Sequence, residues 1–208
     1  MFTYLQPQDD EIDGSFPYLL ITTTSVTPGQ VSVNVPGFDL YHRRWVSNQE
    51  LVNIPLPSTV YLTGTGKQNK TIIVQSDVPI SVHAMYTYVS HRATGFSVLP
   101  TALLGKEYFV SSYEPYESEQ SEFSVTALEE QTQITINSSN VGGGQIQMLT
   151  LEPFESYQFQ SPHDLTGASI RASRPVCVMS GATGARIETI TGGPEYLIQN
   201  LLPVKNLG

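Results

Sequence analysis

An all-β fold is predicted for this 208-residue chain: two tandem, homologous antiparallel β-sandwich domains of jelly-roll or immunoglobulin-like kind, spanning residues 1–105 and 106–208. Three observations carry that reading. The stretch Ser76-Asp77-Val78-Pro79-Ile80-Ser81-Val82 is echoed at Ala172-Ser173-Arg174-Pro175-Val176-Cys177-Val178. Apolar residues alternate with polar ones along most of the chain, and helical periodicity is nearly absent. Turn signals recur every 8–12 residues or so, which is the spacing of short strands that must pair into two packed sheets.

The echo extends both ways from its prolines. Val31-Ser32-Val33 matches Ile134-Thr135-Ile136 at an offset of about 103. Pro57, Tyr61 and Pro79 match Pro153, Tyr157 and Pro175 at about 96, so the first copy holds roughly seven extra residues. Pro100 and Gly105 match Pro203 and Gly208, returning the offset to about 103 and implying a compensating insertion near Gly181 to Gly193. A unit of about 104 residues is the size of a domain and too long for a solenoid repeat.

In chain order, Phe2 to Gln6 opens the first copy as Glu107 to Ser112 opens the second. Tyr18 to Thr24 and Val31 to Val35 flank the turn Thr27-Pro28-Gly29-Gln30 and read as a hairpin. Glu50 to Leu56, Ser58 to Thr63, Lys70 to Gln75 and Ile80 to Val89 continue the strands, Pro79 sitting where a missing N–H breaks no central ladder. Ser90 to Gly105 reads as the connector between copies, with a short helical turn from Leu99 to Gly105. The second copy supplies Phe123 to Ala127, Gln133 to Asn137, Gln145 to Leu151, Ser156 to Gln160, Ala168 to Ala172 and Val176 to Ser180.

Composition excludes several functions. The formal charge of -9, from 10 Lys and Arg against 19 Asp and Glu, disfavours nucleic acid and anionic membranes, which need a basic face. No run of about 18 apolar residues offers a membrane span. The first residues lack the basic-then-apolar layout of a signal peptide, so the chain is either intracellular or has lost a leader. The single cysteine, Cys177, alternates with valines and reads as a small buried hydrophobe. Two sequons, Asn69-Lys70-Thr71 and Asn137-Ser138-Ser139, lean towards secretion.

No catalytic set is found, and neither metal nor cofactor is expected. The acidic connector Asp9-Asp10-Glu11-Ile12-Asp13-Gly14 has the alternating oxygens of a calcium loop but carries Leu20 where the bidentate acid belongs, so it reads as a hydrated loop. His42, His83, His91 and His163 have no partners at zinc spacing. Met179-Ser180-Gly181-Ala182 is not a nucleophile elbow, and Gly142-Gly143-Gly144 joins two strands rather than cradling phosphate. A carbohydrate-active enzyme would need two carboxylates about 5–10 Å apart in a cleft, and the acids here sit in loops. One segment, Phe38 to Val46, reads as an inserted loop holding the only tryptophan. Its Tyr41, Arg43, Arg44 and Trp45 are residue types that anchor interfaces, against the alternative that the loop plugs one end of its own sandwich or packs on the second domain.

Val78 to Ala84, Phe96 to Pro100, Leu104 to Tyr113, Ser121 to Val125, Asp164 to Gly167 and the closing Glu195 to Val204 together resemble the N-terminal domain of the IgGFc-binding protein family. The resemblance covers most of residues 19–208. It implies a non-enzymatic extracellular binding or adhesion module of a larger secreted protein, with a protein or glycan partner such as immunoglobulin Fc or mucin. It assigns no ligand contacts to particular residues. The reading from another class is a structural spacer: two sandwiches held rigidly by the connector, without a ligand of their own.

Overall fold

The computed structural model describes residues 1–7, 15–88, 93–139, 141, 144–187 and 194–206. The acidic connector from Asp9, His91, and Gly142-Gly143 lie outside the described residues. Antiparallel strands dominate, in sandwich-like layers. In chain order they are β1 (Ser15–Thr22), β2 (Gly29–Val35), β3 (Leu40–Val46), β4 (Val52–Pro55), β5 (Gly66–Gln68), β6 (Ile73–Ser76), β7 (Ser81–Tyr88), β8 (Ala93–Ser97) and β9 (Gly105–Phe109). They continue with β10 (Ser121–Ala127), β11 (Thr132–Asn137), β12 (Ile146–Leu151), β13 (Ser156–Ser161), β14 (Ser169–Ala185) and β15 (Glu195–Asn200).

Strand order is β4-β1-β7-β8 in one sheet and β3-β2-β6 in another. The third sheet runs β12-β11-β14-β10-β13-β5, with β9 and β15 also on β14. The early part of β14 pairs with β11 and β9, and its later part with β10 and β15. Divided there, β13-β10-β14-β15 follows the pattern of β4-β1-β7-β8, and β12-β11-β14 that of β3-β2-β6.

The two echoed prolines sit at the same place in these patterns. Pro79 falls between β6 and β7, whereas Pro175 lies inside the continuous β14, where pairing with β9 slips register between Arg171 and Val176. The expected separate strands, Ala168 to Ala172 and Val176 to Ser180, are therefore one bent strand. Tyr108 spans the break: its hydroxyl donates to the Val176 carbonyl (2.6 Å) and accepts from the Gly105 N–H (2.9 Å). Burial pushes this phenol up to about 12, so it stays a donor at ordinary pH.

Several expectations are corrected. β1 and β2 do not form a hairpin: β1 pairs with β4 and β7, and β2 with β3 and β6. The turn at Pro28 is an arch between sheets, pinned where the Thr23 hydroxyl donates to the Pro79 carbonyl (2.6 Å). Both strands bury one apolar face, and period two cannot say whether those faces belong to one sheet or to opposing ones. Ser58 to Thr63 is a 3-10 turn at Ser58–Val60 followed by an isolated bridge at Tyr61, not a strand. The connector after Ser90 contains β8, paired along β7, and its helical turn is confined to Thr101–Leu103.

Buried apolar residues form two clusters. The first gathers Phe2, Tyr4, Leu19, Ile21, Val31, Val33, Tyr61 and Tyr86, together with Cys177, Met179, Tyr196 and Ile198 from the second half of the chain. The second is built from residues after Tyr108, including Phe123, Val125, Ile134, Ile170 and Val178. Edge-to-face rings stiffen the first, with Phe2 against Tyr4 at 5.6 Å and Tyr4 against Tyr61 at 5.6 Å.

Candidate functional site

Most of the segment from Phe38 to Val46 is a strand, Leu40–Val46, and not an inserted loop. After β2, the turn Pro36–Phe38 and a left-handed Asp39 (φ 53°) reverse the chain, and β3 returns in register from Leu40 opposite Val35 to Val46 opposite Gly29. The alternation was hidden because two inward positions are polar: His42 faces Val33 and Arg44 faces Val31. Its counterpart by pairing pattern is β12, so this strand is not peculiar to the first half.

Tyr41, Arg43 and Trp45 stand opposite Asn34, Ser32 and Gln30, which places all six on the outer face of β3-β2-β6. Trp45 is 65% exposed and Tyr41 60%, so the tryptophan does not plug its own sandwich. Arg43 donates to the Gln30 side-chain carbonyl, and the Gln30 backbone N–H donates to Asp77 Oδ1 (2.6 Å). Between β3 and β6 an open groove of about 450 Å³ is lined by Gln30, Ser32, Tyr41, Arg43, Gln75 and Asp77. Gln30, Ser32 and Asn34 were not singled out from sequence, although period two already set them opposite Val31, Val33 and Val35.

The two arginines of β3, Arg43 on its outer side and Arg44 on its inward side, differ from the others described. Arg171 reaches Glu107 (3.5 Å), Arg174 reaches Glu129 (2.5 Å), and Arg186 stacks 3.9 Å over the Tyr116 ring. Neither Arg43 nor Arg44 pairs with a carboxylate among the described residues. Arg44 folds back so that its guanidinium donates to the Arg43 carbonyl (2.9 Å).

A second polar constellation lies inside the molecule, and sequence reasoning missed it. β10 is buried on both faces: Phe123, Val125 and Ala127 enter the second cluster, while Glu122, Ser124 and Thr126 form a buried polar face on the other side. Ser124 bonds Thr3 (2.8 Å), and Ser156 bonds both Thr126 (2.8 Å) and Thr71 (2.9 Å). Glu122 accepts from the Gln160 amide (2.8 Å), and burial holds its carboxyl well above the ordinary glutamate value. Among the described residues its Oε1 has no hydrogen-bond partner, in keeping with a carboxyl closed off from solvent.

Other candidates are accounted for more simply. Cys177 is fully buried in the first apolar cluster, where burial raises its thiol pKa, so it is not a nucleophile. His83 Nδ1 lies 3.2 Å from Ser97 Oγ across β7 and β8. Among the described residues no group of three or more His, Cys, Asp or Glu side chains could hold a metal ion. No described helix is long and apolar enough to cross a membrane. Of the sequons, Asn69 is exposed, whereas Asn137 is half-buried and its Oδ1 is engaged by the Ser139 N–H (3.1 Å) and hydroxyl (2.6 Å).

The chain is thus antiparallel and all-β, with an exposed aromatic and arginine row on the outer face of β3-β2-β6. Comparison with known proteins gives it a family. The model of the family described as IgGFc binding protein matches residues 94–208, more than half of the chain, and the chain belongs to that family. Among curated proteins, the IgGFc-binding protein of Homo sapiens is 27% identical over 215 residues, which covers 99% of this chain and 4% of the relative. No solved structure matches this chain.

Proposed function

We propose that this chain is a non-enzymatic binding module of an extracellular, secreted protein, taking a protein or glycan partner on the outer face of β3-β2-β6. Tyr41, Arg43 and Trp45 are its contact row, and Arg44 is its edge. The observation that carries this reading is the exposure of Trp45 beside Tyr41 and Arg43 on a flat face, with aromatic and guanidinium groups clustered rather than scattered. Immunoglobulin Fc, which the human relative's name specifies, and mucin glycans are the partners to try first.

Two repeats, 1–105 and 106–208, are the natural units of this module, supported by the matching strand orders and the paired prolines. Asn69 is the sequon suited to glycosylation, since Asn137 is engaged by its own serine. The spacer reading draws on the strand pairing of β5 with β13, which ties the halves together.

Binding of the chain to immobilised Fc and to a mucin-glycan panel, beside a Trp45→Ala/Arg44→Ala double variant, separates the two readings. A loss of more than about 2 kcal/mol in the variant, at an unchanged thermal midpoint, supports the recognition face. Absence of any binding at high micromolar concentration favours the spacer.

A further inference from the structure

We propose that β3 is a strand-addition site for an extended acidic peptide segment of a partner protein. The inference rests on the binding-face reading and specifies the shape and charge of what that face takes. β3 ends its sheet: among the described residues it pairs only with β2, so the far side of a seven-residue strand has no strand beside it, and the Arg43 carbonyl there is taken by the Arg44 side chain. An added antiparallel strand uses those groups for affinity and the flanking side chains for selection.

Charge selects the occupant. The chain is strongly acidic, yet His42, Arg43 and Arg44 are consecutive on this edge strand, and among the described residues the two guanidiniums have no carboxylate or stacked ring such as the other described arginines have. The Arg44 guanidinium sits against the backbone of its own strand, on the Arg43 carbonyl that the N–H of an added strand would take, so an arriving carboxylate has to draw it off. Arg43 stands on the outer face in the row with Tyr41 and Trp45, its guanidinium donating to the uncharged Gln30 side chain, which a carboxylate of the peptide would replace. A second copy of the chain fits poorly. Two-fold antiparallel pairing of β3 with itself around Arg43 sets basic side chains against basic ones, and like charges directly opposite destabilise a ladder.

The test uses the intact chain and its only tryptophan as reporter. The probe is a capped heptapeptide alternating glutamate and valine, run beside a lysine-for-glutamate counterpart and a version N-methylated at every second residue. Saturable change in Trp45 emission with the glutamate peptide is expected, with binding about tenfold or more weaker for the lysine peptide and for the N-methylated one. An Arg43→Glu/Arg44→Glu variant, both positions exposed, should keep its thermal midpoint and reverse the preference.

Equal binding of the N-methylated peptide would overturn strand addition, because side-chain contact alone would then suffice. No saturation by the glutamate peptide at millimolar concentration would overturn it as well, and so would self-association of the unliganded chain through this edge. If the heptapeptides fail while Trp45→Ala/Arg44→Ala still abolishes binding to Fc or glycan, the face stands and only the mode falls. If that double variant binds Fc or glycan as the parent does, the face itself is wrong.

Discussion

Trp45 and Ile21 differ in what their removal costs, although both are large apolar residues on strands. Trp45 is mostly exposed, so Trp45→Ala should change stability by no more than about 0.5 kcal/mol. Ile21 is fully buried in the first cluster, and Ile21→Ala should cost about 2–5 kcal/mol. Denaturant midpoints decide; similar losses would mean that the indole is a structural residue after all. Glu122 makes a different prediction. Burial raises its folded-state pKa well above the 4.5 of a free glutamate, with the Gln160 amide and the Gln6 backbone opposing and Glu119 adding to the rise. The unfolded chain therefore releases this proton first. The contribution of Glu122 is complete below about pH 4.5 and is lost as pH climbs through its folded value. Stability of Glu122→Gln should fall less steeply than that of the parent as pH rises above 4.5, and parallel curves would place the pH sensitivity elsewhere.

Along β14, one phenol bridges the register slip beside Pro175, and one glycine further on admits β15. Tyr108→Phe keeps the ring and removes both hydrogen bonds across the register slip, leaving the Gly105 N–H and Val176 carbonyl to find other partners; about 1–3 kcal/mol should be lost. Gly181 lets β15 approach so closely that a Cβ would run into the Leu197 carbonyl. In β8, which pairs with β7 as β15 pairs with β14, a Cβ on Gly95 would meet the flexible end of Met85 instead. Gly181→Ala should therefore unfold or severely destabilise the chain, and Gly95→Ala should fold. Comparable thermal midpoints for the two variants would contradict the backbone clash.

The halves of the molecule are joined through their interiors. β5 extends the sheet of the second half along β13, Tyr196 donates to the Leu5 carbonyl (2.8 Å), and Cys177, Met179 and Ile198 help fill the first cluster. A layer of threonine, serine and glutamine bonds lies between, none of which either half can form alone. Calorimetry of the intact chain should show a single transition, and fragments 1–105 and 106–208 should each lack a cooperative one. Two well-separated transitions would show that the junction is a mere contact between independent domains.

Alternation along the chain sufficed to determine the all-β class, most strands and the echo around Pro79 and Pro175, because period two and proline's missing N–H are local properties. The exposed aromatic row was also within reach, since Tyr41, Arg43 and Trp45 are named by residue type and fall on alternate positions. Tertiary structure alone decided which apolar faces meet. β1 and β2 each needed a cover, and nothing local shows that they occupy different sheets. The same holds for the polar face of β10: nothing local shows that Glu122, Ser124 and Thr126 are buried, and Thr3, Gln160 and Ser156 come against them only in the folded chain. Whether a hydroxyl faces water or another hydroxyl is settled by residues far away in the chain, which is why β3, with polar residues on its inward positions, was legible as chemistry but not as a strand.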